Sequence, residues 1–513
     1  MKKFPLIIIL FFASITRAQN TIVIQTDQGH DIINRNIYGH FAEHLGRCIY
    51  DGFYVGDNKK IPNKDGIRLD IIDALKKLKV PVLRWPGGCF ADTYHWKDGI
   101  GPKDKRPSML NVWWGGVTEN NSFGTHDFLN MCEMLGAAPY LAGNVGSGTV
   151  QELSDWVKYV NHKPGSSPMP ILREQNGRKE PWNVKYWGVG NEVWGCGGNM
   201  KPEYYANLYR QYATFMTDWS DNKNDKIFRV ASGANSSDYN WTEVMMRDIP
   251  HEMLEGVALH HYAVIDWNKK SSATEFTELE YFTTMKRAWY MEELVQKHST
   301  IMDKYDPKKK IALFVDEWGG WYDVEPGTNG AFLYQQNTMR DAMIAGMTLN
   351  IFNNHADRVR MANLAQTVNV LQAVVLTKEE KIILTPTYHV MEMYNVHQDA
   401  TLLPLAIKSD MYQLGEEKLP AVSASASLDR SNVMHISLVN IDAGKEREIS
   451  VDLRGTKYSA VTGRILSSAK LQDHNTFEIP DKIKPAVFKG ASISGNMLKV
   501  KLPPFSVVVL EVK

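Results

Sequence analysis

The chain reads as an α/β protein, a parallel (β/α)8 TIM barrel followed by an antiparallel β-sandwich. Three observations carry that reading. Eight short apolar segments alternate with stretches of helical periodicity. Polar and aromatic residues collect at the C-terminal ends of those segments, the rim where barrel enzymes build their sites. Beyond about residue 376 the pattern changes to period-two alternation, the mark of strands that pair without intervening helices.

The elements follow in order. Residues 1–18 read as a signal peptide: Lys2 and Lys3 give a positive end, 6–13 a short apolar run, and Thr16-Arg17-Ala18 a small-x-small cleavage site. Export to the periplasm or the exterior is therefore expected. The run is too short to cross a bilayer, and no other stretch approaches transmembrane length. Residues 19–35 contain a strand at 21–26 expected to join the sandwich. The barrel is assigned to 36–375, with strands at 37–41, 80–85, 138–142, 184–189, 227–231, 257–260, 311–315 and 348–352. Amphipathic runs such as 68–78, 151–160, 204–219 and 292–305 supply helices between them. The sandwich is assigned to 376–513, where 433–439, 448–453 and 498–502 alternate and Pro503-Pro504 precedes a last apolar strand.

Composition excludes several functions. With 513 residues, 43% of them hydrophobic, the chain can bury more than one core. Its formal net charge is zero, so it has no electrostatic footing for nucleic acid or an anionic membrane. Four cysteines, Cys48, Cys89, Cys132 and Cys196, are too few for a disulfide scaffold and form no cluster with metal spacing. Neither metal nor cofactor is expected.

Two acidic motifs stand out, Gly190-Asn191-Glu192-Val193-Trp194 and Asp316-Glu317-Trp318-Gly319-Gly320-Trp321. Each places a Glu at the end of an apolar strand, where an unpaired carboxylate is costly. A salt-bridged core glutamate would explain either motif alone. Both together, on strands 4 and 7 of one barrel, point to glycoside hydrolysis, in which one carboxyl protonates the leaving oxygen and the other attacks the anomeric carbon. Asn191 can bind the neighbouring sugar hydroxyl or simply form the turn after the strand. Glu43, at the end of strand 1, can be a charged acceptor for other hydroxyls or one half of a surface salt bridge. Arg84, inside strand 2, needs a carboxylate partner, and holding Glu317 ionised is its natural task. Tyr262 can donate to the nucleophile or the substrate, and His260 reads equally as a site group or a satisfied core histidine. Trp113, Trp114 and Trp321 lie in loops on the same face, without a sign of which of the first two faces the cleft. Trp194 and Trp318 are expected as apolar walls, raising the pKa of Glu192 for acid duty.

The segments 36–46, 83–90, 190–192, 316–318 and 365–369 together resemble family 51 of the glycoside hydrolases. The resemblance spans the mature chain and implies a retaining, exo-acting α-L-arabinofuranosidase that needs no cofactor. It makes Glu192 the acid/base and Glu317 the nucleophile, makes Glu43, Asn191, Tyr262 and Gln366 sugar ligands, and puts Trp321 in the pocket wall. Cys89 stands where many relatives carry an Asn that holds a sugar hydroxyl, and a thiol is a weaker hydrogen-bonding substitute there. Expected partners are plant polysaccharides or their oligosaccharides and, by family analogy, further copies of the chain in a homo-oligomer. An endo-acting barrel glycosidase and a non-catalytic carbohydrate-binding protein are the rival readings. A disulfide between Cys89 and Cys196 is also expected, because loops after strands 2 and 4 rise on one face of an exported, oxidised protein.

Overall fold

The computed structural model describes residues 20–217 and 226–513, so the expected signal segment lies outside the described residues. Eight strands close into a parallel barrel: β1 (Gly39–Phe41), β2 (Val82–Trp85), β3 (Ala138–Gly143), β4 (Tyr186–Val189), β5 (Phe228–Asn235), β6 (Gly256–Ala263), β7 (Ala312–Gly320) and β8 (Val359–Ala365). Seven of them coincide with the expected segments.

The eighth corrects the expectation. Residues 348–352 belong to the helix Met339–Asn354, and the true β8 follows it. Thr338 caps this helix in a capping box, with its backbone N–H donated to Asp341 Oδ2 at 2.7 Å. Every residue from Met339 to Asn353 is buried. One side meets the barrel; the other meets a β-sheet, where the Asn350 and Asn353 amides donate to the Ser423 and Ser425 hydroxyls at 3.2 and 3.1 Å. A helix covered all round shows no water-facing stripe, so the segment Thr348-Leu349-Asn350-Ile351-Phe352 reads as a short strand. The helical ring also continues past residue 375. The helix Pro386–Tyr394 packs on Leu69–Leu78 through the Tyr388 hydroxyl, which donates to the Ala74 carbonyl at 3.0 Å.

Behind the buried helix lie two sheets. The six-stranded one runs Thr401–Leu402, Val422–Leu428, Met434–Asn440, Ser506–Val512, Val461–Leu466 and Ala486–Val487, with antiparallel pairings throughout. In the five-stranded one, Arg447–Arg454 and Met497–Leu502 alternate buried and solvent-facing residues, as the sequence pattern requires. The early strand Asn20–Gln25 joins that sheet, antiparallel to Leu405–Lys408 but parallel to Arg447–Arg454. The layer is therefore mostly, not wholly, antiparallel.

Candidate active site

The C-terminal ends of the barrel strands carry five buried or half-buried carboxylates, Glu43, Asp92, Glu192, Asp316 and Glu317, around Arg84 and His260. Strand β7 extends past Glu317 to Gly320, and β6 past His260 to Ala263, so Asp316, Glu317 and His260 sit on strands rather than loops. In the parallel register His260 faces Glu317, and a register shift between Ala258 and His260 re-aims the strand at that point.

Glu317 is held from two sides. The Arg84 guanidinium donates from Nη1 to its Oε1 at 2.9 Å, and the Tyr262 hydroxyl donates to its Oε2 at 2.8 Å. Arg84 is 2% exposed, lies over the Phe41 ring at 4.5 Å, and also donates to the Asp316 carbonyl and to Asn191 Oδ1. The Asn191 amide nitrogen is left buried with no protein partner, so it is a free donor inside the site.

Glu192 follows β4 through a sharp turn. Gly190 has φ +83°, and an added Cβ would meet Val193 Cγ1 at 2.8 Å; Glu192 itself has φ +40°. Its side chain is 18% exposed and takes a hydrogen bond from His260 Nδ1 at 2.9 Å. Burial first and the Glu317 charge second push its pKa up, against the pull of His260 and Arg84. An oxygen of Glu192 lies within 4.8 Å of one of Glu317.

Glu43 is 2% exposed and accepts from the Phe90 amide (3.0 Å), the Trp114 indole (2.9 Å) and the Gln366 amide (3.0 Å). Burial pushes its carboxyl up to about 7, with the donated hydrogen bonds working against that rise. Gly88 lies between the two acids, since a Cβ there would sit 3.2 Å from both Glu43 Oε2 and Glu317 Oε1. Of the two adjacent tryptophans, Trp114 faces the cleft and Trp113 is 41% exposed. Trp321 packs edge-on against Tyr262 at 5.1 Å and against Trp267 at 5.4 Å.

Two expectations are corrected here. Trp318 is not a cleft wall: it is 1% exposed and packs edge-on against Phe352 of the buried helix at 5.5 Å. Cys89 has no thiol to offer a sugar, because its sulfur is bonded to Cys196 across a Cα–Cα distance of 5.5 Å. That disulfide, expected from the two loops, sits beside Glu192, with Cys196 Sγ 3.7 Å from Glu192 Oε2. Glu192, His260 and Glu317 could offer three ligand atoms to a metal, but both His260 nitrogens already have carboxylate partners, Glu192 Oε1 at 2.9 Å and Asp316 Oδ1 at 3.1 Å.

Comparison with known proteins agrees with this geometry. The profile described as Alpha-L-arabinofuranosidase 1 domain matches residues 74–278, and that described as Alpha-L-arabinofuranosidase C-terminal domain matches 316–506. An intracellular exo-alpha-L-arabinofuranosidase of Bacteroides ovatus is 54% identical over 96% of this chain and 95% of its own. The family 51 arabinofuranosidase structure from Xanthomonas axonopodis pv. citri is 46% identical, covers 96% of this chain and 100% of its own, and superposes with a TM-score of 0.94. The chain belongs to glycoside hydrolase family 51. This family 51 protein is thus an α-L-arabinofuranosidase. It also resembles the arabinose complex of the Thermotoga maritima α-L-arabinofuranosidase, at 29% identity, 96% and 99% coverage and a TM-score of 0.83.

The Bacteroides relative overturns the expected export, since it is named an intracellular enzyme. The oxidising exterior is withdrawn with it as a reason for the disulfide, which leaves the proximity of the two loops. Among the described residues no helix is long and apolar enough to cross a membrane.

Sequence reasoning missed three contributors. Asp316 is 2% exposed and accepts from Tyr140 at 2.8 Å and from His260 at 3.1 Å. Asp92 accepts the Val145, Gly146 and Asn191 amides at 2.7, 2.9 and 2.8 Å, tying the loops after β3 and β4 together. Trp267 is 58% exposed beside Trp321. Asp316, next to an assigned acid inside an apolar strand, was the one with a visible signal.

Proposed function

We propose that the protein is a retaining, exo-acting enzyme that releases terminal arabinofuranosyl residues from arabinan, arabinoxylan or derived oligosaccharides. The observation that carries retention is the short gap between the acids. Retaining glycosidases hold the two carboxyls about 5–5.5 Å apart, and inverting ones about 6.5–9.5 Å to admit a water; here oxygens of Glu192 and Glu317 lie within 4.8 Å. The exo action is supported by the Bacteroides relative, an exo-alpha-L-arabinofuranosidase.

In this reading a Glu317 oxygen attacks the anomeric carbon while the glycosidic bond breaks and its oxygen takes the proton of Glu192. Water then gives a proton to Glu192 as its oxygen bonds to the same carbon, and the ester bond returns its electrons to Glu317. Glu317 suits the first role because Arg84 and Tyr262 fix both its oxygens. Glu192 suits the second because burial and the Glu317 charge favour its protonated form. The free amide of Asn191, Glu43 with Gln366, Tyr262 and the Trp321 wall bind the sugar.

The two acids should fail differently. With a nitrophenyl arabinofuranoside, Glu192→Ala should show a burst followed by slow turnover, and azide should restore turnover and give the azide of retained configuration. Polysaccharide, whose leaving alcohol needs the proton, should lose about 10²–10⁴ in rate. Glu317→Ala should lose activity on every substrate. An inverted azide from Glu192→Ala would end the retaining reading.

A further inference from the structure

The reading above requires one carboxyl to serve as an acid and then as a base. His260 stands where that change is made. Its Nδ1 lies 2.9 Å from Glu192 Oε1 and 3.6 Å from Glu317 Oε2, and its Nε2 lies 3.1 Å from Asp316 Oδ1. Asp316 cannot swing away, because its Oδ2 accepts the Tyr140 hydroxyl at 2.8 Å and lies 3.8 Å from Arg84 Nε. With ionised Asp316 on one side and ionised Glu317, or ionised Glu192, on the other, a neutral imidazole would turn its lone pair toward a carboxylate, whereas an imidazolium donates to both sides.

Three carboxylates face the ring, Glu192 from the β4 turn and Asp316 and Glu317 from β7. Arg84 from β2 and the phenols Tyr140 and Tyr262, from β3 and β6, hold Asp316 and Glu317 in turn. His261 turns outward, to the Ser236 hydroxyl and the Arg287 carbonyl. Burial alone would strip the His260 proton, but the Glu317 charge, the hydrogen bonds to Asp316 and Glu192, and the Asp316 charge outweigh it and raise the ring to about 10.

We propose that Asp316 and His260 form a positioning pair in which Asp316 holds the ring as a cation and the cation aims Glu192 and favours its ionised form once Glu317 has become an ester. The proposal rests on Glu192 being the acid/base. In the free enzyme the Glu317 charge opposes the cation, and Glu192 keeps its proton. After attack, Glu317 carries no charge, and the Nδ1–H faces Glu192 as its remaining anion on that side. The same charge then stabilises the Glu192 carboxylate, the form that takes a proton from water. The ring keeps both its protons throughout. It orients and does not carry.

The test uses Asp316→Asn and His260→Asn beside the unaltered protein. With a nitrophenyl arabinofuranoside, both variants should show a burst, because the second step slows more than the first. The basic limb of kcat/KM should move up by about 1–3 pH units, the usual effect of losing an opposite charge at this range. A merely structural role would lower the amplitude and leave the limb in place. Nitrogen NMR of the unaltered protein at pH 7.5 should find both His260 nitrogens protonated, and in Asp316→Asn one of them bare. A neutral ring in the unaltered protein overturns the pair, even if both variants fail to fold. If Glu192→Gln abolishes the basic limb while Asp316→Asn leaves it unmoved, only this proposal falls; if Glu192→Gln leaves the limb intact, the acid/base reading falls first.

Discussion

Arg84→Met is the sharpest perturbation of the site, because it removes one charge and little volume. The guanidinium is 2% exposed and binds Glu317 Oε1 at 2.9 Å, the Asp316 carbonyl at 3.2 Å and the Asn191 side chain at once. Removing one partner of a buried ion pair costs about 3–5 kcal/mol, because the other charge is left behind. His260 still faces Asp316 at 3.1 Å, so the lower end, about 3 kcal/mol, is the better figure. Unfolding entropy near 2.1 cal/mol/K per residue gives about 1 kcal/mol/K for a chain of this length, so Tm should fall only about 3 °C. The same 3 kcal/mol expressed at the reacting centre is a loss of about 100-fold in kcat/KM. Arg84→Lys should recover only part of it, since an ammonium cannot fork between Glu317 and Asn191. Calorimetry and initial rates on a nitrophenyl arabinofuranoside measure both quantities. A kcat/KM within threefold of the unaltered protein would refute the argument that Arg84 holds the site together.

Burial and the Glu317 charge raise the Glu192 pKa, so the acid form persists above the ordinary carboxylate range, and kcat/KM should fall on a basic limb that Glu192→Gln removes. Trp114→Phe deletes an indole donor that lowers the Glu43 pKa; Glu43 should then be less ionised at pH 7, and arabinose should bind more weakly by calorimetric titration, with unchanged affinity counting against the contact. Trp318→Ala should cost about 3–5 kcal/mol of stability by emptying a core site, whereas Trp321→Ala should leave Tm nearly unchanged and raise KM; the reverse pattern would refute the two placements. Thiol titration of the denatured, unreduced protein should find two free cysteines, Cys48 and Cys132; four would remove the disulfide.

Much of the site was legible because a charged group in an apolar strand announces itself. Glu192, Glu317 and Arg84 were read that way, and the structure brings all three to one centre. Trp318 was misplaced because a strand's alternation decides which side a residue faces, and the true extent of β7 was hidden. Asp92 gave no signal: its three partners are backbone amides from distant loops, and backbone donors leave no trace in residue types.

The sequence by itself determined the barrel, the sheets that follow it and the acids on strands 4 and 7, because each rests on local periodicity and on the cost of stranding a charge among apolar neighbours. It could not determine where β8 runs, since the helix before it is buried on every side and its pattern records no water-facing stripe. Nor could it set the approach of the Glu192 and Glu317 oxygens to within 4.8 Å or the three carboxylates around His260. Those depend on how a closed barrel brings β4, β6 and β7 together, and a distance between strands far apart in sequence exists only once the barrel has closed.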